Sequence, residues 1–262
     1  MRDQLDDIQK HLNDGYGRAQ HLNKVELPKR FYKEVAAGPV DGGFVVTLDG
    51  RGVKTPGKKL PVVVPAAAIA TEMAKEWAAQ QEFINPATMP MVRLINSAVE
   101  SGEEMIPAFR AEVVKFAAGD LLLYRAEGPQ ELVSEQELVW DRALVTVARH
   151  FGVSFQPTMG ILHQAQPQST LDRLAEALDG ESLLVLTTLV SITGLTGSGI
   201  LSIGLWHKLF TPDQVWAAAH VDEDFQISQW GQDEEAAERR AMRRVEFDTA
   251  VTVLDALRPN GG

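Results

Sequence analysis

Seven carboxylates lie between positions 222 and 238, at Asp222, Glu223, Asp224, Asp233, Glu234, Glu235 and Glu238, and they frame Phe225, Ile227 and Trp230. No lysine or arginine occurs between Lys208 and Arg239. Paired acids can do general acid–base work, although neighbouring carboxylates on a helix are more often a solvated face. Apolar and aromatic side chains ringed by unneutralised acid also suit a docking surface. The apolar groups supply affinity, while the charge steers the right partner and rejects wrong ones. The partner expected from this tract is basic, or apolar with basic edges.

Helical geometry allows two arrangements. In a continuous helix Glu223, Ile227, Trp230 and Glu234 step by four, three and four and share one face, leaving Ala218, Val221 and Phe225 for the core. Alternatively, Gly231 ends one helix and Asp233 or a neighbour caps the next. The carboxylates then gather at a helix amino terminus, where they favour the macrodipole and their role is structural. Arg239, Arg240, Arg243 and Arg244 follow directly and are expected to be neutralised by Glu235, Glu238 and neighbours one turn away.

Other chemistry finds little support. The six histidines, His11, His21, His150, His163, His207 and His220, show no close metal-ligand spacing, and no Gly-x-Ser-x-Gly elbow is present. With no cysteine, thiolate catalysis, disulfides and Cys-ligated zinc or iron–sulfur sites are excluded. The run Gly194-Leu-Thr-Gly-Ser-Gly199 lacks the Gly-Lys-Ser/Thr ending of a P-loop, and its glycine order is the reverse of a dinucleotide fingerprint. No cofactor and no metal are expected. The stretch 182–206 is uncharged but rich in hydroxyls and glycine, so it reads as a central buried helix, kinked or interrupted near Gly197, rather than a membrane span.

The 262 residues, 45% hydrophobic and 23% charged, describe a folded chain with room for one large or two modest cores. Residues 1–128 carry 16 basic and 17 acidic side chains, whereas residues 129–262 carry 9 and 19. The acidity therefore belongs to the second half, and nucleic acid is an unsuitable partner. The acidic amino terminus has no apolar core of a signal peptide and is unlike a mitochondrial presequence. A cytoplasmic protein of a bacterium, or a matrix protein for organellar relatives, is expected.

The elements that must position the tract follow from periodicity. Residues 1–28 read as a polar tail with a weak helical pattern. Strand-like runs at 31–35, 44–48, 52–55 and 60–64 predict an antiparallel sheet, with Asp49-Gly50 as a two-residue hairpin turn. Pro65 can open a helix reaching Gln81, in which Trp77 anchors the helix on the sheet and Gln80 bonds nearby backbone. Helices at 91–99 and 105–117 and a last strand at 121–124 complete an α/β domain spanning 29–128. Beyond Gly128-Pro129 the pattern is helical, at 131–151, 169–179, 181–206, 211–230 and 232–257, giving an acidic helical domain over 129–262. The fold class is α+β. Phe247, Val251, Leu254 and Leu257 make the apolar stripe of the last helix.

Several short motifs occur in a fixed order: Lys29-Arg-Phe-Tyr-Lys33, Leu48-Asp-Gly-Arg-Gly-Val-Lys-Thr-Pro56, Val64-Pro65, Glu76-Trp77 with Gln80, Met89-Pro90 with Arg93-Leu94, Leu123-Tyr124-Arg125, Trp140-Asp141 and Phe225-Gln-Ile-Ser-Gln-Trp-Gly231. From Lys29 to its end the chain resembles the assembly chaperones that bind the alpha subunit of the catalytic head of the F-type ATP synthase. The resemblance implies a small α/β domain followed by a helical one, no cofactor, no ATP hydrolysis, no membrane insertion and a monomeric protein. It implies shielding of free alpha subunit until beta subunit arrives, with the family's important acid falling on Glu234 or its neighbour Glu235. Glycines at Gly52 and within 191–204 exceed what the family leads one to expect. The client-binding set is therefore expected to be Glu223, Asp224, Ile227, Trp230, Glu234 and Glu235. The competing readings are a small-molecule enzyme using Glu223 and Glu234, and an unrelated scaffold for a membrane-associated complex.

Overall fold

The computed structural model describes residues 27–258. The tail expected over 1–28 falls almost wholly outside them. The described residues separate into two compact units, a small one of residues 27–31 and 79–85 and a large one of residues 32–78 and 86–258. In the small unit Lys29 bridges Phe83, Arg30 donates its guanidinium to the Gln80 carbonyl, and the Gln80 Oε1 accepts from the Asn85 amide at 2.7 Å. Gln80 is buried.

The large unit opens with a three-stranded antiparallel sheet, β1 (Val35–Val40), β2 (Gly43–Leu48) and β3 (Arg51–Gly52), in sequence order. Val35 pairs with Leu48 and Val40 with Gly43. Asp49 and Gly50 turn β2 into β3 with φ of +48° and +77°, the conformation a two-residue hairpin requires. The Asp49 carboxylate also accepts from the amides of Lys33 and Glu34, at 3.0 and 2.8 Å. Those contacts hold the chain before β1, so the strand expected at 31–35 starts only at Val35. The strands expected at 52–55 and 60–64 shrink to β3 and the isolated bridges Lys54–Pro61 and Phe44–Val64. The intervening Pro56–Lys59 loop is pinned instead, because the Glu100 carboxylate accepts from the amides of Gly57 and Lys58 at 2.6 and 3.0 Å.

Helix α1 (Ala67–Ala79) begins two residues after Pro65, and α2 (Pro90–Ser101) and α3 (Ile106–Ala118) follow. Glu76 lies half-buried on α1 and accepts from the amides of Met91 and Val92, both at 2.8 Å. Burial raises its pKa, and these two bonds to the α2 amino terminus oppose the rise. The strand expected at 121–124 is a 3₁₀ turn, Leu121–Leu123, leading into β4 (Tyr124–Arg125), which pairs in parallel with β5 (Thr158–Met159).

Helix α4 (Gln130–Gln136) runs through a π-helical turn, Glu137–Asp141, into α5 (Arg142–Phe151). After α6 (Gln168–Glu176) come α7 (Leu183–Thr196) and α8 (Gly199–Trp206), with the break at Gly197–Ser198 where the sequence expects it. The segment expected as one helix at 211–230 divides at His220 into α9 (Pro212–Ala219) and α10 (Val221–Trp230), and α11 (Glu234–Leu257) closes the chain. None of the described helices is long and apolar enough to cross a membrane.

α7 is central, packing against α2, α3, α8 and α11. This explains its uncharged, hydroxyl-rich sequence. Thr187 and Thr188 donate back to the carbonyls of Leu183 and Leu184, and Thr193 donates to the Ser202 hydroxyl at 2.9 Å, so burial leaves these hydroxyls bonded. The core includes Val113, Ala117, Leu122 and Leu123 from before Gly128 together with Trp140, Leu186, Leu189 and Phe247 from after it. Gly199 permits the close approach of α8 to α3, since a Cβ there would stand 2.3 Å from the Val113 carbonyl oxygen.

Asp120 is fully buried where α8 begins. Its carboxylate accepts from the Ser198 hydroxyl and the Ile200 amide at 2.9 Å and from the Leu122 amide at 3.2 Å. Burial outweighs these bonds and pushes its pKa up to about 7, from 3.8. The folded state therefore holds the proton more tightly than the unfolded chain. The contribution of protonated Asp120 is complete below about 3.8, is lost as pH rises towards 7, and stays lost above it. Urea unfolding at pH 5 and pH 8 should show the unaltered protein losing about 2 kcal/mol or more that Asp120→Asn does not lose. Equal losses in the two proteins would contradict this.

Candidate functional site

The acidic tract forms the turn between α10 and α11. Asp222, Glu223 and Asp224 occupy the first turn of α10, where the macrodipole favours them. α10 ends at Gly231, whose φ is +84°, and Asp233 caps α11 by accepting from the Ala236 amide at 2.9 Å. Of the two arrangements open to the sequence, the interrupted one is observed. The continuous helix that would align Glu223, Ile227, Trp230 and Glu234 is broken, because Gly231 supplies a helix stop and Asp233 a start within three residues.

Electrostatics divides the six expected site residues further. Arg240 reaches back from α11 to Asp224 at 2.5 Å and stands 3.9 Å from Glu223. Glu235 pairs with Arg239 one turn on. Glu234 makes no ion pair with any described residue. Ile227 is half-buried, whereas Trp230 is 80% exposed. The structure therefore places Trp230 and Glu234 at one turn, with Glu234 free of ion pairs among the described residues, while Asp224 and Glu235 are paired and Glu223 shares Arg240 at the longer distance. Arg244 pairs with Asp213 and Asp248, at 2.7 and 2.8 Å, rather than with Glu238.

His220, between α9 and α10, is buried with its ring 4.0 Å from that of Trp216. Its Nδ1 lies 2.7 Å from the Trp216 carbonyl, and its Nε2, without a hydrogen-bond partner, is 3.9 Å from Glu223. Burial lowers its pKa, so the ring is held neutral.

Several residues of the other sequence motifs make internal contacts. Tyr32 packs edge-on against half-buried Trp77, at 5.6 Å between ring centroids, and donates to the Trp77 carbonyl at 2.7 Å. Arg93 pairs with Glu246 at 2.5 Å. The Arg125 guanidinium bonds Asp141 at 2.5 Å and the Gln136 carbonyl at 3.1 Å, and lies over the Trp140 ring at 5.2 Å. Trp140, 1% exposed, donates to the Ala218 carbonyl at 2.8 Å. Gln136 links this cluster to the acidic tract, accepting from the Ala126 amide at 2.8 Å and donating to Asp222 at 2.6 Å. Sequence reasoning missed Gln136. A buried glutamine on an otherwise solvent-facing helix turn gives no periodic signal.

The surface is suited to recognition. A large aromatic exposed at a helix end beside an uncompensated carboxylate offers apolar area and a directing charge. Among the described residues there is no cluster of three or more histidine, aspartate or glutamate side chains able to hold a metal ion.

Known proteins resemble the chain in sequence and fold. A family model described as ATP12 chaperone protein matches residues 29–148. The mitochondrial protein atp12 of Schizosaccharomyces pombe is 24% identical over 221 residues, 80% of this chain and 76% of that protein. A crystal structure of a putative chaperone from Agrobacterium tumefaciens superposes with a TM-score of 0.83 at 39% identity, covering 88% of this chain and 87% of that one. The crystal structure of Atp12 from Paracoccus denitrificans gives 0.79 at 32% identity, over 88% of this chain and 99% of that one. With the motif order, the α+β fold and these relatives in agreement, the chain belongs to the ATP12 chaperone family.

Proposed function

We propose that this protein binds and shields the free alpha subunit of the F-type ATP synthase catalytic head during assembly, without hydrolysing ATP and without catalysing a reaction. The observation that carries the choice of surface is Trp230. Motif residues such as Trp77, Arg93, Arg125 and Trp140 are used in internal contacts, whereas this tryptophan is 80% exposed, four positions before Glu234, which makes no ion pair with a described residue. An exposed aromatic of this size is costly to leave in water unless a partner covers it. The proposed contact set is Trp230 and Glu234 at its centre, with Ile227, Glu223, Asp224 and Glu235 around them. Arg239 and Arg240 offset most of the charge of those paired acids, so the directing charge comes chiefly from Glu234.

A chaperone of this kind acts by mass action. It binds the unassembled subunit, lowers the concentration of aggregation-prone surface, and is displaced when the permanent neighbour offers a better interface. Such a protein works where the subunit is assembled, which is the cytoplasm in a bacterium and the matrix in a mitochondrion. The test is co-expression with the alpha subunit alone. Soluble alpha subunit should rise when this protein is present and fall back to the level without it when Trp230→Ala/Glu234→Lys replaces it. Alpha subunit that stays equally insoluble with the unaltered protein would refute the proposal.

A further inference from the structure

Leu138 is 73% exposed and sits in the π-helical turn Glu137–Asp141. Such turns are rare in helices and concentrate at functional sites. Trp140, two residues on, takes the core side, which leaves Leu138 on the outside of the helix. There it forms one lip of a groove of about 390 Å³ lined by Leu201, Leu209, Phe210 and Ala217. Arg142, one turn after Leu138, also lines the groove, and its guanidinium has no hydrogen-bond or ion-pair partner among the described residues. An apolar trough with one unanswered cation at its edge is complementary to an apolar segment carrying a carboxylate.

We propose that this groove receives an amphipathic helix of the client protein, with apolar side chains against Leu138 and Phe210 and an aspartate or glutamate paired with Arg142. The spacing supports a helix in a groove, since Leu138 and Arg142 stand four positions apart and two such residues on the incoming helix would meet them together. The inference rests on the client assignment above and extends it. The Trp230–Glu234 turn attracts positive charge, and the groove attracts negative charge. α9, which supplies Ala217 to the groove, leads through His220 directly into the acidic start of α10. Two contacts of opposite sign would fix the orientation of the client, which one apolar patch cannot do.

The experiment measures the affinity of purified alpha subunit for the full chain at low and moderate salt, using Leu138→Lys, Arg142→Glu and, for comparison, Glu234→Lys. Leu138 and Arg142 are exposed, so both groove variants should keep the melting temperature of the unaltered protein. Leu138→Lys should bind about tenfold more weakly at either salt concentration. Arg142→Glu should bind about tenfold more weakly at low salt, with a smaller deficit at moderate salt. Groove variants that both bind within about twofold of the unaltered protein, while Glu234→Lys binds weakly, would overturn the groove and leave the client assignment standing. If the unaltered protein does not bind alpha subunit at all, the client assignment fails and the groove proposal fails with it.

Discussion

Trp140→Ala should destabilise the protein by about 3–5 kcal/mol, enough to consume a large part of the stability of an ordinary domain. The cost has three parts. A ring that is 1% exposed is removed from the core and leaves a cavity. The Ala218 carbonyl loses the indole N–H that it accepts at 2.8 Å. Arg125 loses the ring beneath its guanidinium, while its bonds to Asp141 and Gln136 remain. Trp140→Phe separates the parts, because it keeps most of the ring volume and loses the hydrogen bond, and it should cost about 1–2 kcal/mol. Urea unfolding followed by circular dichroism measures both. Near-wild-type stability in Trp140→Ala would mean that the cluster joining β4, the π-helical turn and α9 is not a structural centre.

Glu234→Lys and Trp230→Ala should do the opposite, leaving the fold intact and weakening client binding. Trp230 makes little internal contact, so Trp230→Ala should change stability by less than about 0.5 kcal/mol, while Glu234→Lys, at the amino terminus of α11, should cost no more than about 1 kcal/mol. Binding to alpha subunit should fall about tenfold for Glu234→Lys, chiefly through slower association, and about thirtyfold for Trp230→Ala through faster release. Glu235→Lys supplies an internal contrast. Its carboxylate is already matched by Arg239, so its reversal should matter less than that of Glu234. Surface plasmon resonance on immobilised alpha subunit reads both rates. Equal effects at 234 and 235 would show that net charge, rather than the position of one unpaired acid, governs recognition.

Much of this architecture was legible in the sequence, for reasons that particular residues make plain. Asp49-Gly50 reports its own turn because only a few residue types accept two positive φ values in succession. The Phe247, Val251 and Leu254 stripe gives α11 because helical period and burial coincide there. The strands around Pro56–Lys59 were overextended, because β-like runs flanked a loop whose anchor, Glu100, lies more than 40 positions away. The division of 211–230 was missed for a similar reason. His220 is a passable helix residue locally, and only its buried bond to the Trp216 carbonyl marks the break. At the site, the sequence shows how many acids there are but not which are neutralised. Arg240 was expected to pair within α11, and it crosses to Asp224 on α10 instead. That single tertiary contact moves attention from Glu223 to Glu234.

The central claim is that this surface recognises free alpha subunit, and the most direct measurement is the mass of the complex. Purified alpha subunit and this protein should elute together by size exclusion with light scattering as a one-to-one complex, and added beta subunit should release this protein unbound. Separate elution of the two proteins, or a complex that forms equally well with Trp230→Ala/Glu234→Lys, would contradict the account.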